Sequence, residues 1–254
     1  MTGSYGDMDN RIKVQGIILS VMPVGDYDRR ITILTKERGR LSAFAQGARR
    51  TGNSLLAKTQ LCTLGTFYLY MGRDNYRVSE VEVLDYFTDF RVNLEKAYHA
   101  MYFCEVASYF TRENNDEREM LNLVYAALKA LEKGVLDRTL IKAVFELKAM
   151  CIAGEAPSTG ECVICHEKKE KRLFSVDHGG MVCTECAAKL PGRFTELSES
   201  AWYAVWYIAS TPASGVFSFK LSDAVLAEVA AAASAYLKGR TGHEFKGEKL
   251  LEIV

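Results

Sequence analysis

The sequence predicts a multi-domain α+β protein: a small N-terminal β-barrel, a helical domain, and a four-cysteine ribbon inserted into that helical domain. Three observations carry this expectation. Short alternating or β-branched runs crowd the first ninety residues, apolar residues then recur at helical spacing, and two Cys-x2-Cys pairs bracket a hairpin.

The barrel comes first along the chain. Arg11–Val21 alternates around Ile12 and Val14 before an apolar run, and Arg30–Thr35 and Leu41–Gln46 are short and strand-like. Leu61–Met71 and Tyr76–Leu84 complete five strands, with turn signals at Pro23–Gly25, Arg38–Gly39 and Gly72–Asn75. A helical turn near Ser54–Lys58 falls between the third and fourth strands, which suits a closed barrel of the OB type. A small SH3-like barrel is the competing architecture.

After Phe90 the period changes. Leu94, Ala97, Met101, Phe103, Val106 and Phe110 repeat at helical spacing, as do Leu121, Val124, Leu128 and Leu131, and then Ile141, Val144, Phe145 and Met150. Polar Thr111–Asp116 separates the first two helices and Gly134 ends the second. Two more helices are expected near Glu199–Ile208 and Asp223–Leu237. The resulting plan places the barrel at 1–88, the helical domain at 89–158 and 191–254, and the ribbon at 159–190, after a hinge at Gly154–Gly160.

The ribbon holds the sharpest motif. Cys162-Val-Ile-Cys165 and Cys183-Thr-Glu-Cys186 stand seventeen residues apart, a spacing that reads as one tetrahedral four-thiolate zinc site. Two redox Cys-x-x-Cys pairs or a disulfide pair are the rivals, but neither explains why both pairs bracket a hairpin at Lys171–Val182. Closed sites of this kind are structural, because no position is left for water. His166 and His178 flank the cysteines as possible substitutes. Cys62, Cys104 and Cys151 sit in apolar stretches, where a thiol packs as a small hydrophobe.

Net charge is zero over 254 residues, yet it is unevenly spread. Arg11–Gln60 carries ten basic residues against three acids, a balance of +7 that suits a polyanion. The basic residues are Arg11, Lys13, Arg29, Arg30, Lys36, Arg38, Arg40, Arg49, Arg50 and Lys58. Phe67, Tyr68, Tyr70 and Tyr76 follow, and exposed rings on such a barrel can stack on bases. Strand alternation lets only half of these rings face outward; the rest are core. Lys168, Lys169, Lys171 and Arg172 form a second basic cluster diluted by glutamates. Met1–Asn10 is polar and lacks an apolar signal core, and no run approaches a bilayer span, so a cytoplasmic protein is expected.

Enzyme motifs are missing. Gly47-Ala-Arg-Arg-Thr-Gly52-Asn53 copies the glycine spacing of a phosphate-binding loop but places Asn53 where the essential lysine belongs. It reads as a basic loop. No nucleophile is paired with a base, and His99 on a helix is expected to be satisfied by polar neighbours.

The combination resembles the bacterial RecO family of DNA repair and recombination mediators. Gly16-Ile-Ile-Leu19, Gly25-Asp-Tyr-Asp28, Thr35-x3-Gly39 and Gly47-Ala-Arg-Arg50 stand in that family's order, and the cysteines with Phe174–Gly180 extend the likeness to about residue 190. His243-Glu-Phe-Lys246 departs from the family's His-Leu-Gly pattern. The resemblance implies a non-enzymatic protein that binds single- and double-stranded DNA, anneals strands, and acts with RecR to load RecA onto strands coated by single-stranded DNA-binding protein (SSB). It implies phosphate contacts at Arg29, Arg30, Lys36, Arg38, Arg40, Arg49 and Arg50. An acidic, apolar SSB tail would need a greasy groove with a basic rim, for which Met101, Phe103, Leu121, Val124 and Leu128 near Arg118, Lys129 and Lys133 are candidates, although most of these apolar residues read first as ordinary core. The alternative function is a protein-interaction adaptor that docks through ribbon and helices, its charged barrel incidental.

Overall fold

Fourteen residues of extended chain, Arg11–Val24, form β1, and this strand organises the N-terminal half of the molecule. The computed structural model describes residues 10–73, 75–168, 172–251 and 253. They divide into two compact units, one running to Leu121 and including the segment from Lys249 on, the other Asn122–Glu248.

In the first unit β1 is followed by β2 (Asp28–Thr35), β3 (Arg40–Ala45), a helical turn α1 (Leu55–Lys58), β4 (Leu64–Met71) and β5 (Tyr76–Asp85). The strands close in the order β1-β2-β3-β5-β4. The first half of β1 pairs with β4 (Arg11 opposite Tyr70, Ile17 opposite Leu64), and its second half pairs with β2 (Ile18 opposite Ile33, Val24 opposite Asp28). Closure is completed by a short parallel pairing of β3 with β5, Ala43 opposite Tyr76 and Phe44 opposite Arg77. Period-two alternation fills the interior with Val14, Ile31, Ile33, Leu41, Phe67, Leu69 and Val81.

Two strand boundaries differ from expectation for identifiable reasons. Pro23 lies within β1, because its fixed φ is compatible with an extended strand, and the turn begins at Gly25, where φ is +52°. Leu61–Thr63 is not part of β4: Cys62 turns left-handed, with φ +63°, and breaks the extension. Cys62 and Cys104 are both buried with their sulfurs 3.7 Å apart, and that contact together with burial raises the Cys62 thiol's pKa well above its ordinary value.

A 3-10 turn at Thr88–Arg91 leads to α2 (Leu94–Phe110), whose first turn is capped by the Asn93 side chain accepting from the Lys96 N–H. His99 on this helix is bonded through Nδ1 to the Glu95 carbonyl. Beyond α2 the 112–117 loop returns to the barrel. The N–H groups of Arg40, Asn114 and Glu117 bond to the carbonyls of Arg112, Arg38 and Lys36, so the β2–β3 hairpin is stapled to this loop by three backbone hydrogen bonds. Gly39 is required there twice over. Its φ is +61°, and a Cβ would sit 1.9 Å from the Arg112 carbonyl oxygen.

Helix α3 (Arg118–Lys133) leads into the second unit, where α4 (Arg138–Ile152), α6 (Glu199–Ser210) and α7 (Asp223–Thr241) pack together. Asp137 caps α4 and Ser198 caps α6 through their side-chain oxygens. Between α4 and α6 lies the ribbon, with β6 (Arg172–Ser175), β7 (Gly180–Cys183), a single turn α5 (Thr184–Ala187) and β8 (Thr195–Glu196) in the sheet order β7-β6-β8. The short α5, the two-residue β8 and a last helix α8 (Lys246–Leu251) have no counterpart in the sequence reading, because each is too brief to show a period. Lys169 and Lys171 of the second basic cluster, and the start of the expected hairpin, lie outside the described residues. Among the described residues no helix is long and apolar enough to cross a membrane.

Replacing Gly39 with alanine should lower unfolding stability by about 1–3 kcal/mol, the cost of a strained left-handed residue, and the clash adds to it. Amide hydrogen exchange should show faster opening at Arg40, Asn114 and Glu117. Unchanged protection at all three would mean that the staple does not hold the hairpin.

Candidate nucleic-acid interface and metal centre

The ribbon brings all four predicted cysteines together. Their ligand sulfurs lie within 4.8 Å of one another. A zinc–sulfur length of about 2.3 Å gives tetrahedral edges of roughly 3.8 Å, and the sulfurs of Cys165 and Cys183 are 3.9 Å apart. Cys162 and Cys183 are buried, Cys186 half-buried and Cys165 exposed. The Cys183 N–H donates to the Cys162 sulfur at 3.3 Å.

Electrostatics reinforce the geometry. Burial pushes the Cys162 thiol's pKa up, but amides of Cys165, Cys183 and Ile164 outweigh it and bring it down to about 6. Contact with the Cys183 sulfur, followed by burial, drives Cys186 up to about 12. Four sulfurs this close cannot all carry charge without a cation among them. The donor set therefore fits one zinc ion. His166 and His178 are engaged elsewhere: the first faces Glu161 at 3.2 Å, while the second bonds Ser175 at 3.0 Å and stacks on Phe194.

The ribbon is anchored within its own unit. Gly180 packs against Ser158, where a Cβ would lie 2.3 Å from the Ser158 carbonyl oxygen. The Trp202 indole donates to the Thr159 carbonyl, and the Arg172 guanidinium lies 4.4 Å from the Trp202 ring. Arg172 also donates to the carbonyls of Thr159 and Gly160, so it holds the ribbon in place, whereas Lys168 is exposed.

The basic residues of the barrel fall into three groups. Arg30, Arg38, Arg49 and Arg50 are exposed, and Lys58 is half-buried. Arg49 donates to the Gly25 carbonyl and Arg50 lies 4.5 Å from the Tyr27 ring, which orients the basic loop without neutralising it. Lys36 and Arg40 sit half-buried to either side of the stapled hairpin tip, Lys36 bonded to Gln15 at 3.0 Å. Arg29 is different. It stands opposite core-facing Ala45, and its guanidinium donates to the carbonyls of Leu56 and Thr59 and to the Thr59 hydroxyl. Burial, then the nearby Arg49 charge, lowers its pKa. Arg29 therefore ties α1 to the barrel.

The aromatic residues separate in the same way. Phe67 and Leu69 point into the core, Tyr68 and Tyr70 outward. Arg11 and Lys13 lie 4.8 and 5.3 Å from the Tyr68 ring, and its hydroxyl donates to Glu82, so this ring is already occupied. Tyr70 is 40% exposed and borders a cleft of about 780 Å³ that is also lined by Phe44, Arg73, Tyr76 and Arg77. Sequence reasoning did not single out Phe44, Arg73 or Arg77. The signal that finds them is strand register, which a single sequence does not display.

The apolar groove expected on the first two helices is corrected by the structure. Phe103, Leu121, Val124 and Leu128 are all buried, which leaves only Met101 of that set exposed. Residues at full core depth cannot line an open groove.

Because Arg29 ties α1 to the barrel through three hydrogen bonds, Arg29→Ala should cost about 1–2 kcal/mol of unfolding stability in a urea titration followed by circular dichroism. DNA affinity of the folded variant should change little. Undiminished stability with a large loss of affinity would return Arg29 to the binding surface.

Comparison with known proteins agrees with this layout. Residues 8–87 match the family model described as Recombination protein O N terminal, and residues 91–249 match the one described as Recombination protein O C terminal. The chain is 33% identical over 232 residues to a protein named DNA repair protein RecO from Acetivibrio thermocellus, covering 91% of this chain and 92% of that one. A protein of the same name from Symbiobacterium thermophilum is 28% identical over 245 residues, 95% and 96% of the two chains. One from Alkaliphilus metalliredigens is 32% identical over 176 residues, 69% and 72%. With both halves matched in order across most of its length, this chain belongs to the RecO family of DNA repair proteins.

Proposed function

We propose that this protein is a non-enzymatic recombination mediator that binds single- and double-stranded DNA on its barrel, anneals complementary strands, and works with RecR to load RecA onto SSB-coated strands. The observation that carries the reading is the cationic barrel surface: exposed Arg30, Arg38, Arg49 and Arg50, the last two oriented by Gly25 and Tyr27. The strand order, with its single parallel pair, supports the OB assignment. Binding would release counterions from the phosphates and so depend on salt rather than sequence. Annealing follows if that surface lowers the repulsion between two strands while base edges stay free. Such a protein works in the cytoplasm, with the nucleoid.

The SSB tail belongs at a different place from the buried helix residues. An open cavity of about 1070 Å³ in the second unit is lined by Tyr125, Val135, Leu136, Phe217 and Phe219, with Lys129, Lys133 and Lys220 among its walls. Apolar walls with ammonium groups suit a short acidic, apolar peptide. The ribbon carries one structural zinc ion held by Cys162, Cys165, Cys183 and Cys186, and it contributes folding energy with no catalytic step.

Fluorescence anisotropy with single-stranded oligonucleotides of varied sequence tests the DNA reading. Affinity should be indifferent to sequence and fall steeply as salt rises. Arg49→Glu with Arg50→Glu should weaken binding and reduce the salt slope by roughly 2, about one per phosphate contact. An unchanged slope in the folded variant removes this loop from the interface. Weak, salt-insensitive binding by the unaltered protein favours the adaptor reading, in which ribbon and helices dock a protein partner.

Zinc has a separate test. Native mass spectrometry should find one ion per chain, and Cys183→Ser should lose it and melt the ribbon while the barrel's exchange protection persists. A metal-free native protein with fully protected Val163 and Met181 amides would contradict a structural ion.

A further inference from the structure

Strand register decides which outward side chains become neighbours around a closed barrel. Met22 stands opposite Arg30, Arg30 opposite Phe44, Phe44 opposite Arg77, Arg77 opposite Tyr70, and Tyr70 opposite Arg11. Direct partners share a face, and the inward neighbours Ile31, Ala43, Ala45, Val78 and Leu69 are all buried. A belt therefore runs across β2, β3, β5, β4 and β1 in which guanidinium and ring alternate: Arg30, Phe44, Arg77, Tyr70, Arg11.

The belt is accessible and unevenly neutralised. The three arginines are exposed, Tyr70 is exposed and Phe44 half-buried. Arg11 pairs with Glu80 at 3.3 Å, whereas among the described residues Arg30 and Arg77 have no ion pair. Adjacent strands lie about 4.8 Å apart, so the two rings stand roughly 10 Å from each other, with Arg77 between them. The 780 Å³ cleft opens beside this centre, with Tyr76 and Arg73 on its wall. An outward phenylalanine flanked by two cations lacking counter-charges is a poor solution for solubility alone, but it has the components of a stacking platform.

We infer that this belt is the track for an unpaired DNA strand and that Phe44 and Tyr70 make the barrel distinguish single strands from duplex. The inference rests on the DNA-binding reading of the barrel. Phosphates are held by Arg30, Arg77 and Arg11 while bases stack on the two rings. In a duplex the bases are already stacked inside the helix and cannot reach a ring on a convex surface, so only the charges act on it. The basic loop at Arg49 and Arg50 then serves both forms of DNA, and the rings add affinity for one.

The test compares the full-length protein with Phe44→Leu/Tyr70→Ala and with Arg30→Gln/Arg77→Gln, each first checked for folding by circular dichroism. Anisotropy is read with a labelled oligothymidylate and with a hairpin duplex of the same phosphate number, across a salt series. The ring variant should lose about tenfold or more in affinity for the single strand, hold the duplex within about twofold, and keep its salt slope. The arginine variant should lose about 2 in slope on the single strand. Equal losses on both DNA forms, or no loss on either, overturn the belt. Retained DNA affinity with loss of binding to purified RecR also overturns it and makes the belt a protein-docking surface. If the unaltered protein binds neither form, the DNA-binding reading itself fails, which is a different result from a variant that binds like its parent.

Discussion

Everything in the N-terminal unit depends on β1 pairing on both edges. The two ladders overlap only at Gly16 and Ile17, and the register shift between Ile18 and Ser20 marks where the β2 ladder adjusts. Gly16 lies close to this point. A Cβ there would be 2.3 Å from the Leu34 carbonyl oxygen, so the two backbones approach as only glycine allows. Once β1 is shared, β4 and β2 are fixed on either side, and the short β3–β5 contact closes the ring. The outward belt and the inward core follow from the same register.

Charge and packing divide the basic residues in a way that composition cannot. Ten cations in fifty residues read as one electrostatic footprint, yet they have distinct tasks. Arg29 faces inward and holds α1, Arg11 and Lys13 cover the Tyr68 ring, and Arg49 and Arg50 brace the loop after β3. Arg77 lies outside the basic stretch, and strand register sets it between Phe44 and Tyr70. In the second unit Arg172 shows the same division, being spent on Trp202 and two carbonyls.

Much of the fold was legible in the sequence because its signals are local. Alternation around Ile31, Ile33, Leu41 and Leu69 marks strands, helical spacing marks α2, α3 and α4, and the cysteine pairs announce their own cluster. What failed to show was non-local. Phe44 looks like an ordinary strand residue until β5 is placed beside it. Phe103, Val124 and Leu128 fit either a core or a groove, because a helical period says which residues share a face and not what covers that face. The left-handed turn at Cys62 carries no compositional warning, since glycine and asparagine are the residues that advertise such a conformation.

If the proposed function holds, nucleic acid is bound by the barrel, across its strands. Hydrogen-exchange mass spectrometry of the full-length protein, with and without a saturating single-stranded oligonucleotide, tests it most directly. New protection is expected in peptides covering residues 10–13, 28–30, 42–50, 70–73 and 75–77, with the helices and ribbon of the second unit unchanged. Protection confined to residues 122–248, with the barrel strands exchanging as in the free protein, would contradict it.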